Sequence, residues 1–224
     1  MFLLYAWGMA VEIGLRERKK QRTRELLSET ARRLFAERGF ERVSIAEIAL
    51  AAEVSEATVF NYFPTKEDLV YSGLEAFEEQ LLAAIRDRPP GQSVAGAFGE
   101  FILRPRGFLA DADEERAAEL VALTRMIAAS PALQARERQV LARYTRALAE
   151  LIASETSAGP ADLRPYAAAN ALIGVHGALI SYVRQRVASG MPDRRRLARD
   201  VRSRGEAALA LLGDGLDGYA RKSR

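Results

Sequence analysis

The chain of 224 residues contains no cysteine and a single histidine, His176. The lack of cysteine excludes disulfides, thiolate metal sites and cysteine nucleophiles, and it fits a reducing compartment. A Gly-rich phosphate loop and a His-Glu-x-x-His metal motif are also missing. Carboxylate pairs such as Glu78 and Glu79 fall on the solvated face of a predicted helix. We therefore expect neither an enzyme nor a cofactor or metal site.

Long apolar runs are scarce as well. The opening segment, residues 1–11, is apolar, but it lacks a basic region and is too short to span a bilayer. We expect residues 1–15 to form a disordered leader, with Met9 as an alternative start. The segment 166–183 approaches transmembrane length, but Asn170, His176 and Ser181 interrupt it. We interpret it as a buried helix and expect a cytoplasmic protein without a membrane span.

The formal net charge of +3 is small but unevenly placed. Residues 14–66 carry eleven Lys or Arg against eight Asp or Glu, whereas the rest of the chain carries 22 of each sign. The excess begins with a basic cluster: Arg16, Arg18, Lys19, Lys20, Arg22 and Arg24. Such a cluster attracts nucleic-acid phosphates without reading sequence. A merely solvated charged arm is the alternative interpretation.

The pattern of hydrophobic residues is helical throughout, and no segment alternates as a strand does. The first predicted helix covers 16–38, and two short helices follow between 44 and 64. Thr65 then caps a long helix that stops before Pro89. The remaining predicted helices, bounded by Pro and Gly signals, are 93–103, 113–129, 131–156, 163–189 and 194–212. Residues 216–224 are expected to be a frayed tail.

The segment 44–66 has the organisation of a helix-turn-helix. Ser44 and Glu47 are spaced as a capping box, and Ser55 is an N-cap for a second helix after the turn at Glu53-Val54. In that second helix Val59 and Phe63 are predicted to point inward. Its outer face is then small, polar and aromatic, which suits the DNA major groove.

The sequence resembles the tetracycline-repressor (TetR) family over roughly residues 18–75. The resemblance lies in Ala-Ala-Glu-Val-Ser-x-x-Thr-x-Phe-x-Tyr-Phe-x-x-Lys at 51–66 and in Leu-Phe-Ala-Glu-Arg-Gly-Phe at 34–40. It implies an all-α fold: a helix-turn-helix domain at 16–64, followed by a larger ligand-binding and dimerisation domain at 65–215. It also implies a homodimer, formed through the last two long helices, that binds a double-stranded DNA operator. Glu53 departs from the family's usual Gly, and Phe60 departs from its usual Tyr.

Residues expected to contact DNA follow from the resemblance and from side-chain chemistry. By resemblance, Ser44 and Lys66 contact phosphates, and Thr58, Phe60 and Tyr62 contact the backbone and adjoining bases. The base-reading candidates are different residues: Glu56, Ala57 and Asn61. Asn pairs with adenine, Glu accepts from cytosine N4, and Ala meets the thymine methyl. The alternatives are stabilisation of the helix N-terminus by Glu56, packing by Tyr62 and a plain surface role for Lys66.

A regulator of this kind needs a site for an effector, and an apolar cavity in the second domain is expected to hold it. The candidate lining residues are Phe98, Phe101, Ile102, Leu123, Met126, Tyr144, Leu148, Asn170 and His176. For most of them core packing is the competing interpretation, and His176 is more typical of a core or interface residue.

The stretch from Leu123 to Tyr182 resembles a TetR subgroup whose C-terminal domain is described as binding acyl-CoA-like ligands. In that case Arg104, Arg106 or Arg125 would meet phosphates, although Arg125 could instead pair with Glu119 or Asp113. The predicted function is a repressor released from a palindromic operator by a small, largely apolar effector. An activator, or a DNA-binding protein of the same fold that needs no ligand, is the alternative.

Overall fold

The computed structural model describes residues 15–106, 109–110, 114–190 and 193–216, apart from a few side chains. Within those ranges the regular elements are ten α-helices, as the all-α prediction requires. They are α1 Leu15–Arg38, α2 Ile45–Ala51, α3 Glu56–Tyr62, α4 Lys66–Val70, α5 Leu74–Arg86, α6 Val94–Ile102, α7 Glu114–Ala129, α8 Pro131–Thr156, α9 Arg164–Ala188 and α10 Arg194–Leu216. Nearly all of the predicted leader and tail, residues 1–14 and 217–224, lies outside the described residues.

Helices α1 to α3 pack into one unit around apolar side chains that the helical spacing brings together. Leu27 and Phe35 of α1 are buried against Ile48 of α2 and Val59 of α3. Hydrophobic spacing predicts a buried stripe on the first helix formed by Leu26, Leu27, Ala31, Leu34 and Phe35, but Leu26 is 46% exposed, so this part of the prediction is wrong. Position 26 lies just off the narrow face that α1 buries. The helices contribute unequally to this core: α1 buries Leu27, Ala31, Leu34 and Phe35, whereas α3 buries Val59 within its own bounds.

The turn between α2 and α3 depends on an unusual backbone conformation. Glu53 has φ of 55°, in the left-handed region that favours glycine. A side chain there costs about 1–2 kcal/mol because its Cβ crowds the following carbonyl. The neighbouring caps offset this cost: Ser44 and Glu47 form the predicted capping box, and the Ser55 hydroxyl accepts from the Thr58 N–H at 3.1 Å. The turn thus forms with Glu at position 53, where the sequence resemblance leads to Gly.

The connection to the second part of the chain corrects one prediction. A single helix was expected from 65 to 88, but the chain leaves the helix after Val70 and re-enters it at Leu74. Gly73 favours this break, because its φ of 94° is a conformation that residues with a Cβ rarely adopt. The buried Tyr71 fixes the break by donating its hydroxyl to the Leu133 carbonyl at 2.8 Å. Hence α4 and α5 are two separate helices and not one continuous helix.

The larger unit is built on α8 and the antiparallel α9, with α5, α6, α7 and α10 packed around them. Phe77 lies at its centre, with ring centroids 5.4 Å from Phe101, 5.5 Å from Tyr144 and 5.2 Å from His176. An ion pair between Arg184 and Glu137, with both N–O distances 2.7 Å, joins the end of α9 to the start of α8. The C-terminal end of α9 therefore lies on the same side as α4.

Helix α9 alone, in the part of the chain that the structure describes, is long and apolar enough by composition to cross a membrane. Half of its most apolar window is buried inside the protein. Its buried residues include Leu172, His176 and Val183, which contribute to the core beside α8. The expected buried helix thus matches the observed burial.

Candidate nucleic-acid interface

Helix α3 presents one face to the core and another to solvent. Val59 and the C-cap residue Phe63 are both fully buried, as predicted. The opposite face exposes Glu56, Ala57 and Asn61, which are the residues proposed to read bases. A seven-residue helix with two apolar anchors leaves these side chains pointing outward, and no helix in the described part of the chain covers them. The geometry permits this face to enter a groove.

The residues expected to touch the DNA backbone border that face. Phe60 is 48% exposed, so its ring is accessible beside the open face of α3. Thr58 and Tyr62 are half-buried. The Thr58 hydroxyl lies 2.9 Å from that of Ser55, so it also serves the cap of α3. The Tyr62 side chain packs partly on the core beside Arg24, whose guanidinium donates to the Tyr62 carbonyl.

Ser44 is exposed at the start of α2, but its amide is already engaged. The backbone N–H donates to Glu47 Oε2 at 2.8 Å, and the hydroxyl donates to the same oxygen at 2.9 Å. The backbone N–H of Ser44 holds the pKa of Glu47 below its usual value because it donates to the carboxylate form. A phosphate at Ser44 would therefore have to share these donors with Glu47.

Lys66 is placed differently from an outward phosphate-binding residue. Its ammonium donates to the carbonyl oxygens of Phe40 at 2.9 Å and Val43 at 3.1 Å. It also lies 4.2 Å from the centroid of the Phe40 ring, a cation–π arrangement. Lys66 thus ties α4 to the loop between α1 and α2. The predicted phosphate contact stays a prediction, with one of the three N–H donors left for it.

The basic cluster on α1 is displayed to solvent, next to the helix-turn-helix. Five of its cations are exposed, and Arg24 is half-buried with its guanidinium 4.8 Å from the Phe63 ring. The exposed members are Arg16, Arg18, Lys19, Lys20 and Arg22. Positive side chains beside an open recognition face attract a polyanion toward that face.

Among the described residues, three hydrogen-bonded contacts join α4, its C-cap residue Tyr71 and the loop between α1 and α2 to the larger unit, in addition to the packing of α1 on α7. Arg136 of α8 donates to Asp68 Oδ1 at 2.8 Å from Nε, and its Nη2 lies 2.6 Å from the same oxygen. The Ser130 hydroxyl, at the N-cap of α8, donates to Glu41 at 2.7 Å. The third contact is the Tyr71 hydroxyl bond described above. None of these residues was predicted to be functional, because pairs that lie 62 to 89 residues apart leave no local pattern in the sequence.

The residues predicted to hold an effector differ widely in their exposure. Six of them are buried in the core: Phe98, Phe101, Ile102, Tyr144, Leu148 and His176. Leu123 and Met126 are half-buried, whereas Asn170 is exposed and its amide donates to the Tyr166 carbonyl at 3.1 Å. Burial lowers the pKa of the His176 imidazole to about 3, so the ring is neutral where it stacks on Phe77. Packing is the role this geometry supports for the buried six.

An open cleft lies elsewhere, between α6 and α10, with a volume of about 550 Å³. None of the nine predicted effector residues lines it. Its lining contains Gly96, Gly99 and Ala210, together with charged residues at the mouth. Of the arginines that the resemblance suggested for ligand phosphates, Arg104 lines the cleft. The small residues on two distant helices gave no signal for it in the sequence. Within the described ranges, no group of three or more His, Cys, Asp or Glu residues is arranged to hold a metal ion.

Comparison with known proteins gives a consistent result for both parts of the chain. A family model described as "Bacterial regulatory proteins, tetR family" matches residues 27–71, and one described as "MftR C-terminal domain" matches residues 105–214. The HTH-type transcriptional regulator TcmR of Streptomyces glaucescens is 36% identical over 143 residues, which cover 62% of this chain and 59% of TcmR. The chain thus spans less than two thirds of that relative.

Two further similarities extend over more of the chain. The putative mycofactocin biosynthesis transcriptional regulator MftR of Mycobacterium tuberculosis is 26% identical over 158 residues, 70% of this chain and 78% of MftR. The solved structure of Salmonella enterica GusR superposes with a TM-score of 0.51 and 20% identity, covering 88% of this chain and 96% of GusR. At that identity the likeness to GusR concerns the fold alone.

Proposed function

Because the chain belongs to the TetR family, we propose that it is a sequence-specific DNA-binding regulator of transcription. The observation that carries the proposal is that α3 is buried on one face and exposed on the other. Val59 and Phe63 are fully buried, while Glu56, Ala57 and Asn61 stand on the open face. A short helix held this way, with exposed cations on the adjoining α1, has the shape and charge needed for the major groove.

Within this interface we assign base reading and backbone contact to different residues. Asn61, Ala57 and Glu56 read base edges, with Asn61 suited to a bidentate contact with adenine. Ser44, Thr58, Phe60 and Tyr62 border the groove and contact the sugar-phosphate backbone. Lys66 belongs with the backbone contacts by its family position, but its inward hydrogen bonds favour a positioning role.

The proposal includes a homodimer formed through α9 and α10. A stripe of small or polar residues is exposed along the otherwise apolar α9: Ala167, Asn170, Gly174, Ala178 and Ser181. On α10, Leu211 is 86% exposed. Small residues let a second pair of helices approach closely, and the exposed leucine gains by being covered. Two-fold symmetry then places two copies of α3 toward successive major grooves of a palindromic operator.

We further propose that the regulator is a cytoplasmic repressor released by a small, largely apolar effector, of acyl-CoA-like type. A ligand shifts the operator affinity only if it binds the DNA-competent and DNA-incompetent states differently. The Arg136–Asp68 and Tyr71–Leu133 contacts connect the larger unit to α4, beside the break at Gly73. Movement of α8 relative to α4 would change the distance between the two copies of α3 in the dimer.

Selection of binding sites from a random duplex library tests the proposal. The purified full-length chain is expected to enrich a sequence with two-fold symmetry. Asn61→Ala should relax the preferred base at one position in each half-site, a loss of about 1–3 kcal/mol in discrimination. Gln80→Ala, at an exposed position on α5, is the matched control and should select the same sequence as the unmodified chain. Failure to enrich any sequence would reject the proposed function.

A further inference from the structure

The N-terminal half of α10 carries a local excess of positive charge. Residues 193–206 contain six arginines against two aspartates and one glutamate, a surplus of three charges on one helical segment. The total charge of the chain conceals this excess, because acidic residues elsewhere balance it outside residues 14–66. A concentration of one sign on a single helix creates a field that attracts a partner of the opposite sign.

Three of the six arginines have partners within the protein: Arg194 with the carbonyl oxygens of Leu109 and Ala110, Arg202 with Glu206, and Arg204 with the ring of Tyr182. The other three, Arg195, Arg196 and Arg199, are exposed, and no carboxylate in the described part of the chain forms an ion pair with them. Leu197 and Val201 turn the opposite side of α10 into the core. The three exposed arginines form the α10 basic face.

The α10 basic face lies at the end of the larger unit that adjoins α4. Gly205 lies against Leu179, and the Tyr182 hydroxyl donates to Asp200 Oδ2 at 3.3 Å, so α10 runs antiparallel to α9. Residues 195–199 therefore lie beside the last turns of α9, and that end of α9 is on the same side as α4. Because α10 packs mainly on α6 and α9, helices α1 to α4 leave the basic face open to solvent.

The proposed dimer would bring two such faces together near the DNA. Both copies of α3 must face one duplex, so the two-fold axis points toward that duplex. In the proposed interface α9 and α10 flank this axis, and the first turns of both α10 helices then face the DNA between the two copies of α3. The three arginines of each protomer thus lie opposite the backbone of the operator.

We infer that the α10 basic face is a second DNA-binding surface, which attracts the phosphates of the operator between its two half-sites. The inference rests on the proposed function, because it needs both the operator and the dimer. The planar guanidinium group suits a phosphate, and its field reaches across about 8 Å of solvent at physiological ionic strength. Phosphate contacts carry no sequence information, so this surface adds affinity and leaves the preferred sequence to α3.

Titrations of the full-length protein with its selected operator, at several salt concentrations, test the inference. The basic-face variant combines Arg195→Gln, Arg196→Gln and Arg199→Gln. We expect it to bind at least about tenfold more weakly at about 0.15 M salt, and the slope of log affinity against log salt to fall by about 2 or more. Its selected sequence should stay the same, because the recognition helix is untouched.

A control variant of equal charge separates a local effect from the loss of net charge. It combines Arg86→Gln, Arg146→Gln and Arg164→Gln, all at exposed positions in the opposite half of the larger unit. This variant should keep the salt slope of the unmodified chain. Light scattering confirms that both variants remain dimeric before their operator affinities are compared.

A change in the DNA gives a second test that needs no altered protein. In this probe, uncharged methylphosphonates replace the phosphates between the two half-sites of the operator. The unmodified protein should lose affinity for the probe by about the same factor as the basic-face variant loses on ordinary DNA, whereas that variant should lose little more.

Equal salt slopes for the basic-face and control variants would overturn the inference. So would equal sensitivity of the unmodified protein and the basic-face variant to the methylphosphonates, because the arginines would then serve another acidic partner or the fold itself. Operator binding that ignores these three arginines refutes this surface alone. Absence of operator binding by the unmodified chain refutes the proposed function, and this inference with it.

Discussion

Lys66 and Phe40 are joined twice: the Lys66 ammonium donates to the Phe40 carbonyl oxygen at 2.9 Å and lies 4.2 Å from the centroid of the Phe40 ring. A further bond to the Val43 carbonyl completes the attachment of α4 to the loop that precedes α2. The same ammonium was predicted, by family resemblance, to bind a DNA phosphate. Its inward placement indicates that it orients the helix-turn-helix first.

Substitution of Lys66 by methionine separates these two roles. We expect the free energy of unfolding to fall by about 1–3 kcal/mol, because the partly buried carbonyl oxygens of Phe40 and Val43 lose a charged hydrogen-bond donor. The dependence of operator affinity on salt should change little, whereas loss of a true phosphate contact lowers its slope by about 0.9. Urea unfolding and binding titrations between low and moderate salt measure the two quantities. Lys19→Met, at an exposed position on α1, controls for stability and should unfold like the unmodified chain. A reduced slope with unchanged stability would restore the phosphate role.

The ion pair between Arg136 and Asp68 predicts a second, distinct effect. Arg136→Gln leaves the capping box of Thr65 and Asp68 intact and removes the link from α8 to α4. Because the side chains are only 29% and 14% exposed, we expect a loss of about 1–2 kcal/mol in unfolding free energy. Hydrogen exchange should also quicken in residues 56–70. Arg138→Gln, two residues away and exposed, is the control. Indistinguishable exchange in the two variants would remove this link from the proposed coupling.

His176 predicts a pH dependence of stability with a definite sign. Burial lowers its pKa from 6.5 to about 3, so between these values the unfolded chain binds a proton that the folded chain does not. Above pH 6.5 the neutral imidazole makes its full contribution to the free energy of unfolding. As the pH drops from 6.5 toward 3, the free energy of unfolding falls by up to about 1.4 kcal/mol per pH unit. His176→Phe keeps an aromatic ring beside Phe77 and should lose this part of the pH dependence. Urea unfolding from pH 4.5 to 7.5 compares the two slopes, and equal slopes would show that His176 titrates normally in the folded protein.

The proposed dimer interface predicts the result of placing a charge on α9. Ala178→Arg introduces a guanidinium into the exposed stripe and should yield a monomer in light scattering coupled to size exclusion. Operator affinity should fall at least about tenfold, since one half-site alone then supplies the binding energy. Ala142→Arg, on α8, is the matched control and should remain dimeric. A dimeric Ala178→Arg variant would place the interface elsewhere.

Local signals in the sequence were sufficient to predict most of the helices and the caps. The box of Ser44 and Glu47 and the cap at Ser55 are confirmed because each depends on residues within one helical turn. Glu at position 53, where the resemblance leads to Gly, indicates a turn that is less tight or slightly strained, and its φ of 55° agrees with the strained alternative. Helices α6 to α9 lie within a residue or so of their predicted ends, and α10 runs to Leu216 instead of 212.

The features that sequence reasoning did not find depend on distant contacts. The break between α4 and α5 combines a local feature, the positive φ of Gly73, with a distant one, the contact of Tyr71 with Leu133, and hydrophobic spacing alone did not reveal it. Apolar residues such as Phe98 and Leu148 suit a cavity wall and a packed core equally well, and only their neighbours decide between the two. The cleft at Gly96 and Gly99 forms because α10 lies close to α6, and the sequence of α6 alone does not predict that approach.

The central claim is that two copies of α3, related by dimer symmetry, enter one duplex together. Hydroxyl-radical footprinting of the full-length protein on its selected site tests it most directly. The account predicts two equivalent protected segments on one face of the DNA, centred one helical turn or a whole number of turns apart, with two protomers per duplex. A single unsymmetrical protected segment, occupied by one protomer, would contradict it.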